Sequence, residues 1–258
     1  MIDLHAHILP GLDDGAKSLE EALAMARMAL ADGVTCLVAT PHDTGSIAYD
    51  AAQVKAVSAE VQAAIEGEGL SLRLVVGSEL YAVPDLVTRL RAGQRLTLGH
   101  SRYTLIEFPF TDLPLYADQL LFELRIAGFR PIIAHPTRNA VFRCDPNRLC
   151  QLIEKGALAE LTANALTGAF GKRIQETAHV LLEHNLVHFL VSDAHDPEHR
   201  PPRLSDAVAK AREIVGCKEA RAMVTTRPQA VLADEPLEMG SPRRYRPRRH
   251  WFWPQWGR

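Results

Sequence analysis

The chain has 258 residues, of which 47% are hydrophobic and 23% are charged. This length allows one sizeable core, so we expect one α/β catalytic domain followed by a short tail. The sequence shows neither the features of a signal peptide nor an apolar run of the roughly 18 residues that a membrane span needs, so we expect a soluble, cytoplasmic protein.

Charge is distributed unevenly along the chain. The formal net charge is −2, but six of the 29 Lys and Arg residues lie in the last 16 positions, where there is no Asp or Glu. The remainder has 23 basic residues against 31 acidic ones. A body this acidic is poorly suited to bind nucleic acid through its general surface. We therefore expect no nucleic-acid partner, and a phosphate-bearing ligand would need a local cationic site.

Short apolar or β-branched runs bounded by turn residues predict seven strands. They cover residues 2 to 7, 34 to 40, 72 to 78, 103 to 108, 130 to 134, 157 to 162 and 187 to 192. Helical patterns lie between most of them. The first begins at Ser18, which fits a capping box with Glu21, and ends at Asp32-Gly33. This alternation predicts parallel pairing, in a closed or slightly open barrel or in an open doubly wound sheet.

Histidine and carboxylate residues follow nearly every predicted strand. In strand order they are His5 and His7, His42, Glu79, Glu107, His135, and Asp193 with His195. In an open sheet these strand ends would be spread along a line, whereas a barrel brings them around one mouth. The pattern therefore favours the barrel.

The same residues have the chemistry of metal ligands. His5 and His7 alternate on a strand, so both imidazoles point to one face and can chelate one ion, although such a pair is weak evidence by itself. Burying so many ionisable groups together would be very costly unless metal ions neutralised them. Asp13 and Asp14 could add a carboxylate, with a solvated turn as the alternative for one of the two. Nitrogen and oxygen donors suit Mn, Fe, Zn or Mg.

The cysteine pattern disfavours a thiolate nucleophile. The four cysteines show no CxxC spacing, and none begins a C-x5-R sequence; they are Cys36, Cys144, Cys150 and Cys217. We therefore expect reduced thiols and no thiolate phosphatase loop, which leaves bound metals as the source of a nucleophile.

Taken in order, these motifs resemble the PHP (polymerase and histidinol phosphatase) superfamily and, within it, the bacterial capsule-type, manganese-dependent protein tyrosine phosphatases. They are D-x-H-x-H at 3 to 7, T-P-H at 40 to 42, G-S-E at 77 to 79, I-E-F at 106 to 108, A-H-P-T-R at 134 to 138 and S-D-A-H at 192 to 195. The likeness also includes the D-D-G loop at 13 to 15 and R-P-P at 200 to 202. It extends from Met1 to about Asp234.

The resemblance implies a distorted seven-stranded (β/α)7 barrel of the TIM-like type that holds three divalent metal ions, with Mn favoured. Carried over by motif, the ligands of the first ion would be His5, His7, Glu79 and Asp193. Those of the second would be Glu79, Glu107 and His135, and those of the third Asp14, His42 and His195. Arg138 and Arg200 would hold the phosphate, with surface arginines on loops as the alternative. Asp193 or a metal-bound water could in addition supply a proton to the leaving group.

The resemblance also implies a substrate, namely a phosphotyrosine-bearing bacterial tyrosine autokinase of capsule or exopolysaccharide biosynthesis. A histidinol-phosphate or other small-molecule phosphoesterase would use the same metals. A metal-dependent amidohydrolase ranks lower, because Glu107 stands where many of those enzymes carry a bridging lysine and because no eighth strand is predicted. A non-enzymatic, metal-stabilised binding module of a polysaccharide export system would be indicated by a missing ligand, and none is missing. Oligomeric state is left open.

Two parts of the chain do not match the family pattern. The sixth strand, at 157 to 162, carries no recognisable family motif, so no site residue is assigned there. We place the catalytic domain at 1 to 240 and expect the basic, aromatic segment at 241 to 258 to be disordered. Its three tryptophans alternate with Arg and Pro. A contact with an anionic membrane surface or an acidic partner is the functional alternative.

Overall fold

Residues 1–44 and 50–246 are described by a computed structural model of the chain. The strands are β1 (Ile2–Ala6), β2 (Cys36–Ala39), β3 (His42–Asp43), β4 (Arg73–Val76), β5 (Glu79–Tyr81), β6 (Tyr103–Glu107), β7 (Arg130–Ile133), β8 (Leu158–Thr162) and β9 (Phe189–Val191). The α-helices are α1 (Leu19–Ala31), α2 (Ala51–Gly67), α3 (Leu86–Arg91), α4 (Ala117–Ile126), α5 (Ala140–Cys144), α6 (Pro146–Glu154), α7 (Ala163–Thr167), α8 (Lys172–Glu183), α9 (Ser205–Val215), α10 (Cys217–Ala222) and α11 (Thr226–Leu232).

Each of the seven predicted strands coincides with an observed strand, but the second and the third are interrupted. The described strands pair in parallel in the orders β1-β2-β4 and β3-β5-β6-β7-β8-β9. β2 and β3 flank Pro41, which has no N–H to give to a ladder. Gly77 and Ser78 separate β4 from β5. The two strand orders are therefore one succession, divided at these breaks.

The parallel sheet curls until its last strand reaches its first. Beyond β9, the Asp193 N–H donates to the His5 carbonyl at 2.9 Å, and the His7 N–H donates to the Ala194 carbonyl at 2.7 Å. These bonds join β1 to the residues that follow β9. The result is an α/β fold with a curled parallel sheet, so the carboxyl ends of first and last strands are neighbours, as the barrel alternative requires.

Two apolar layers hold this arrangement. An outer cluster packs the helices against the sheet, and its members on α1 include Ala22, Met25 and Ala29. An inner cluster gathers side chains from distant strands, from the turn at Leu98 and from α11: Leu4, Val38, Leu98, Tyr103, Leu105, Ile132, Ala134, Phe189, Val191 and Val231. Because Leu105 precedes the predicted ligand Glu107 by two residues on β6, alternation places Glu107 on the same inward face. The inner cluster is thus the floor of the predicted site.

The start of α1 follows the predicted capping pattern with one change. Ser18 Oγ accepts a hydrogen bond from the Glu21 N–H at 3.2 Å. The Glu21 carboxylate accepts from the Lys17 N–H, one residue before the position that a capping box uses. No helix in the described part of the chain is long and apolar enough to cross a bilayer.

The segment expected to be disordered from residue 241 onward is docked on the domain as far as Arg246. Asn185 donates to the Ser241 carbonyl, and Asn147 both donates to the Tyr245 carbonyl at 3.0 Å and accepts from the Tyr245 N–H at 2.8 Å. The Arg243 N–H donates to the carbonyl of His184. Two asparagines on the domain thus hydrogen-bond the backbone of 241 to 246, and the disorder expected for 241 to 258 stays a prediction. Residues 247 to 258 lie outside the described part of the chain.

Candidate metal centre

All nine predicted ligands lie together at the carboxyl ends of the strands. His5 lies on β1, His42 begins β3, Glu79 begins β5 and Glu107 ends β6, while Asp14 comes from the loop after β1. His7 directly follows β1, while His135 lies two residues beyond β7, and Asp193 and His195 lie two and four residues beyond β9. Except for Asp14 and His42, all of these residues are buried.

Their donor atoms form three groups in which the atoms lie within 4.8 Å of one another. The groups are His7, Asp14, His42 and His195; then His5, His7 and Asp193; and then His42, Glu79 and Glu107. His135 joins the last group, because its Nε2 lies 2.6 Å from Glu79 Oε1. The groups share His7 and His42 and are contiguous. This partition resembles the predicted three sets, with His7 and His42 each facing one more group than expected.

Hydrogen bonds to two carboxylates fix the orientation of the first two histidines. His5 Nδ1 donates to Glu160 Oε1, and His7 Nδ1 donates to Asp13 Oδ2 at 2.7 Å. In neutral imidazoles with these tautomers, each Nε2 carries a lone pair. The two Nε2 atoms nevertheless face one another at 3.0 Å. Two lone pairs at this distance repel one another unless a proton or a metal ion lies between them, and the spacing suits two ligands that each lie about 2.1 Å from one ion.

Other buried donor atoms also lack hydrogen bonds among the described residues. Glu79 Oε2, His42 Nδ1 and His195 Nε2 are each buried without a hydrogen-bond partner. Glu79 Oε2 and His42 Nδ1 lie only 2.8 Å apart, yet their angles are unsuitable for a hydrogen bond. Buried polar atoms in native proteins are nearly always satisfied. Lone pairs that converge in this way fit divalent metal ions, and the donor set contains nitrogen and oxygen only.

Electrostatics point to the same conclusion. Burial lowers the pKa of His7, but hydrogen bonds to Asp13 and Asp193 raise it to about 9. Burial likewise lowers the pKa of His5, whereas the charges of Glu79, Glu160 and Asp193 raise it well above its usual value. The carboxylates thus attract positive charge into the cluster. Protons supply that charge when metal ions do not, which is the competition expected at a metal site.

Glu160 is the functional residue that the sequence analysis missed. It lies in the middle of β8, on the strand to which no site residue was assigned, and it is fully buried. A carboxylate that accepts from the far nitrogen of a ligating histidine fixes its tautomer and raises its basicity. The available signal was a glutamate inside an otherwise apolar strand, since a buried charge needs a partner.

Asp13 accepts from His7 as Glu160 accepts from His5, so Asp13 and Asp14 have different roles. Besides His7, Asp13 accepts from the backbone N–H groups of Gly15 and His42. Asp14 faces the cavity, with Oδ1 3.4 Å from His42 Nε2 and 3.5 Å from His195 Nε2. The loop also needs its glycine, because a Cβ on Gly15 would lie 2.0 Å from the His7 carbonyl oxygen.

Two of the clustered residues have backbones in the left-handed region. His135 has a φ of 26° and Asp193 has a φ of 53°. Such conformations are uncommon for residues other than glycine and often occur at functional sites, where the surrounding structure holds them. Here the turn at Asp193 is held by its N–H bond to His5. It directs the Asp193 carboxylate toward the histidines of β1.

Both predicted phosphate-binding arginines reach the cluster. Arg200 Nη2 lies 2.6 Å from Asp193 Oδ2, and Arg138 Nη1 lies 3.8 Å from the same oxygen. The two arginines line a cavity of about 480 Å³ together with Asp14, His42, Thr44, Tyr81, Glu107, Phe108, Pro109, Phe110, Thr111 and His195. A phosphate in this cavity would meet two guanidinium groups beside the clustered donors, the arrangement that suits planar, bidentate recognition.

The loop that carries Arg200 is shaped by Asp196. Its Oδ1 accepts from the N–H groups of Glu198 and Arg200, and the His195 N–H donates to the Arg200 carbonyl at 3.0 Å. This turn brings Arg200 back toward Asp193. His199, which precedes Arg200, is 82% exposed and lies 3.5 Å from Asp196, so it stays outside the cluster.

Replacement of Glu160 is expected to weaken metal binding without unfolding the chain. Without its carboxylate, His5 loses the partner that fixes its tautomer, and such changes typically cost about 10- to 100-fold in metal affinity. We therefore expect this loss in Glu160→Gln, measured as the Mn²⁺ dissociation constant by competition with a chelator. The exposed Glu213→Gln on α9 is the matched control. Equal affinities for wild type, control and Glu160→Gln would show that Glu160 does not act on the metal ligand.

Comparison with known proteins identifies relatives for nearly the whole chain. The family model described as capsular polysaccharide synthesis, CpsB/CapC, matches residues 1–233. The tyrosine-protein phosphatase YwqE of Bacillus subtilis (strain 168) is 35% identical over 238 residues, which are 92% of this chain and 93% of that protein. The tyrosine-protein phosphatase CpsB of Streptococcus pneumoniae is 29% identical over 248 residues, 91% of this chain and 99% of the relative.

Solved structures agree with these relatives. A crystal structure from work on YwqE and CpsB, described there as unique metal-dependent tyrosine phosphatases, matches with a TM-score of 0.92 and 34% identity and covers 95% of this chain and 100% of that chain. Dihydropyrimidinase from Brevibacillus agri NCHU1002 matches with a TM-score of 0.53 at 12% identity, over 93% of this chain and 73% of that one. This second likeness concerns the fold alone.

Proposed function

From the premise that the chain belongs to the CpsB/CapC family, we propose that it is a metal-dependent protein tyrosine phosphatase. The observation that carries the proposal is the convergence of two arginines on one carboxylate oxygen of the nine-residue cluster. Candidate metal ligands and candidate phosphate-binding arginines therefore line one cavity. Because none of the expected ligands is missing, a non-enzymatic binding module is not favoured.

The finer features of the site and the fold belong to the same proposal. We assign three divalent ions to the three groups, with Mn favoured and Fe, Zn or Mg as alternatives. Counting β2 with β3 and β4 with β5 as single interrupted strands makes a distorted seven-stranded (β/α)7 barrel. The catalytic domain at 1 to 240 and the cytoplasmic location remain predictions.

When bound, the ions would supply an activated water and offset charge on the phosphoryl oxygens. Arg138 and Arg200 bind and orient the phosphoryl group and stabilise the charge that develops on it. Burial raises the pKa of Asp193, but His5, His7 and Arg200 lower it well below its usual value. A carboxyl group held ionised in this way is a poor proton donor, so the predicted acid role of Asp193 is not favoured. A phenolate leaving group, with a pKa of about 10, needs less proton donation than an alkoxide.

The proposed substrate is a phosphotyrosine-bearing protein segment, and a bacterial tyrosine autokinase of capsule or exopolysaccharide biosynthesis is the proposed partner. The names of the relatives support this choice, since YwqE and CpsB are tyrosine-protein phosphatases. A cavity of about 480 Å³ that opens at the strand ends can admit a side chain presented by another protein.

A substrate comparison tests the function. Metal-reconstituted protein would be assayed in parallel on a phosphotyrosine peptide, the same peptide with phosphoserine, and histidinol phosphate. We expect the highest kcat/KM on the phosphotyrosine peptide, because a phenolate is the best leaving group of the three. Preference for histidinol phosphate would replace the substrate assignment by the small-molecule alternative and would leave the metal site standing.

The C-terminal residues beyond Arg246 are proposed to contact an anionic membrane surface or an acidic partner. Trp251, Trp253 and Trp256 are interspersed with arginines in this segment, a composition that suits anionic interfaces. Because 241 to 246 are hydrogen-bonded to the domain, the clean truncation ends at Arg246. It should keep hydrolysis of small substrates and lose binding to anionic vesicles at low salt. Equal vesicle binding by both forms would dispose of the membrane contact.

A further inference from the structure

Phe110 lies at the cavity, in the loop after β6. Its ring lies under the guanidinium of Arg138, with Arg138 Cζ 4.1 Å from the ring centroid. The same ring meets the imidazole of His135 edge-on, with centroids 5.8 Å apart and planes inclined at 67°. Even so, 41% of Phe110 is exposed. Phe110 therefore contacts both a candidate phosphate-binding arginine and a candidate metal ligand, and it still presents apolar surface.

The loops that carry Phe110 and Arg138 are joined by Asn139. The side-chain amide of Asn139 donates to two carbonyl oxygens of the loop 109 to 112, at 2.6 and 2.7 Å. Its Oδ1 accepts two N–H groups of α5, and the Ala140 N–H donates to the Phe110 carbonyl at 2.7 Å. Asn139 is 3% exposed. These bonds fix the backbones that carry Phe110 and Arg138 before a ligand arrives, which lowers the entropic cost of binding.

The lining of the cavity has two chemical parts. The polar part comprises Asp14, His42, Thr44, Glu107, Thr111, Arg138, His195 and Arg200, and the aromatic and apolar part comprises Tyr81, Phe108, Pro109 and Phe110. The Phe110–Arg138 contact joins the two parts. A phosphate bound by Arg138 therefore has the ring of Phe110 as its neighbour, and its ester substituent leaves the polar part beside that ring.

We propose that Phe110 is the specificity-determining residue of this site and that it selects aryl over alkyl phosphates by packing against the phenyl ring of the substrate. The inference rests on the proposed function and adds the residue that distinguishes aryl from alkyl substrates. Aromatic pairs in offset or edge-on contact gain more than the area they bury. An alkyl phosphate has no ring to make this contact, so loss of Phe110 should weaken the binding of aryl ligands alone, by about 10-fold.

A pair of non-hydrolysable inhibitors isolates the contribution of the aryl group. Phenylphosphonate and methylphosphonate would be measured as competitive inhibitors of phosphotyrosine-peptide hydrolysis by the full-length, Mn²⁺-loaded chain. Both inhibitors place a phosphonate in the polar part of the cavity, so a change there affects both inhibition constants and leaves their ratio unchanged. The variants are Phe110→Leu and Phe110→Tyr, with Phe110→Ser as a second ring-free variant should the leucine variant fail to fold. Phe122→Leu is the matched control, because Phe122 is 61% exposed on α4 and does not line the cavity.

We expect wild type to bind phenylphosphonate more tightly than methylphosphonate and Phe110→Leu to lower that preference about 10-fold. Phe110→Tyr and Phe122→Leu should keep it within about 2-fold, because the first retains the ring and the second lies elsewhere. A purely structural role for Phe110 predicts equal weakening of both inhibitors and an unchanged ratio, which would overturn the inference while hydrolysis of the phosphotyrosine peptide stands. Failure of wild type to hydrolyse that peptide would overturn the proposed function and this inference together.

Discussion

Removal of divalent metal ions is expected to abolish hydrolysis of a phosphotyrosine peptide, and Mn²⁺ is expected to restore it. Bound metals lower the pKa of water from about 16 to about 7, and water that is not activated in this way is a poor nucleophile. The clustered imidazoles and carboxylates would hold the ions through their donor atoms, so the activated water is the expected nucleophile. We expect kcat to fall by about three orders of magnitude or more after chelation, measured before and after addition of Mn²⁺.

The cysteines provide the control for this result. None of the four lines the cavity among the described residues. Burial raises the pKa of the Cys36 and Cys150 thiols, so neither is a ready thiolate. A variant with the exposed Cys144 and Cys217 changed to Ser and the two buried cysteines changed to Ala should keep wild-type activity. If that variant is folded and inactive, the nucleophile is a cysteine and not an activated water.

Replacement of Arg200 by alanine is expected to lower kcat/KM on a phosphotyrosine peptide by roughly 10- to 150-fold, because a buried charge-assisted contact contributes about 1.5 to 3 kcal/mol. Arg200 Nη2 is ion-paired with Asp193 at 2.6 Å, whereas its Nε is buried and makes no hydrogen bond within the described residues, so Nε is available to a phosphate. Arg138→Ala should have an effect in the same range. Arg200→Lys should recover only part of the activity, since an ammonium cannot bind phosphate in a bidentate manner.

Metal stoichiometry decides how these variants are interpreted, because Arg200 contacts Asp193. We expect the metal content of each preparation to equal that of wild type. Arg203→Ala is the matched control, since Arg203 is exposed three residues farther along the same loop. If Arg138→Ala and Arg200→Ala both hydrolyse the peptide at the wild-type rate, these arginines do not hold the phosphate.

The cluster was predictable from the sequence because its members follow apolar runs at regular positions. His5, Glu107 and Asp193 each stand where a buried parallel strand ends, and a curled sheet brings such ends together. Their identity as imidazoles and carboxylates indicated metal chemistry. Arg138 was found only because a family motif places it three residues after His135.

Features that depend on distant partners could not be predicted in the same way. Glu160 acquires its role from His5, which lies 155 residues away along the chain. The docking of Tyr245 depends on the side chain of Asn147, and no local pattern reveals that pairing. The left-handed backbone of Asp193 arises from a bond to β1, which propensities for single residues do not report.

Anomalous diffraction from crystals of the Mn²⁺-loaded protein would test the central claim most directly. Data collected on either side of the manganese edge locate the ions and count them without reference to activity. We expect three peaks, one in the group of His5, His7 and Asp193, one beside His42, Glu79 and Glu107, and one between Asp14 and His195. Absence of any peak among these residues, in protein that hydrolyses the phosphotyrosine peptide, would show that the cluster is not the source of the activity.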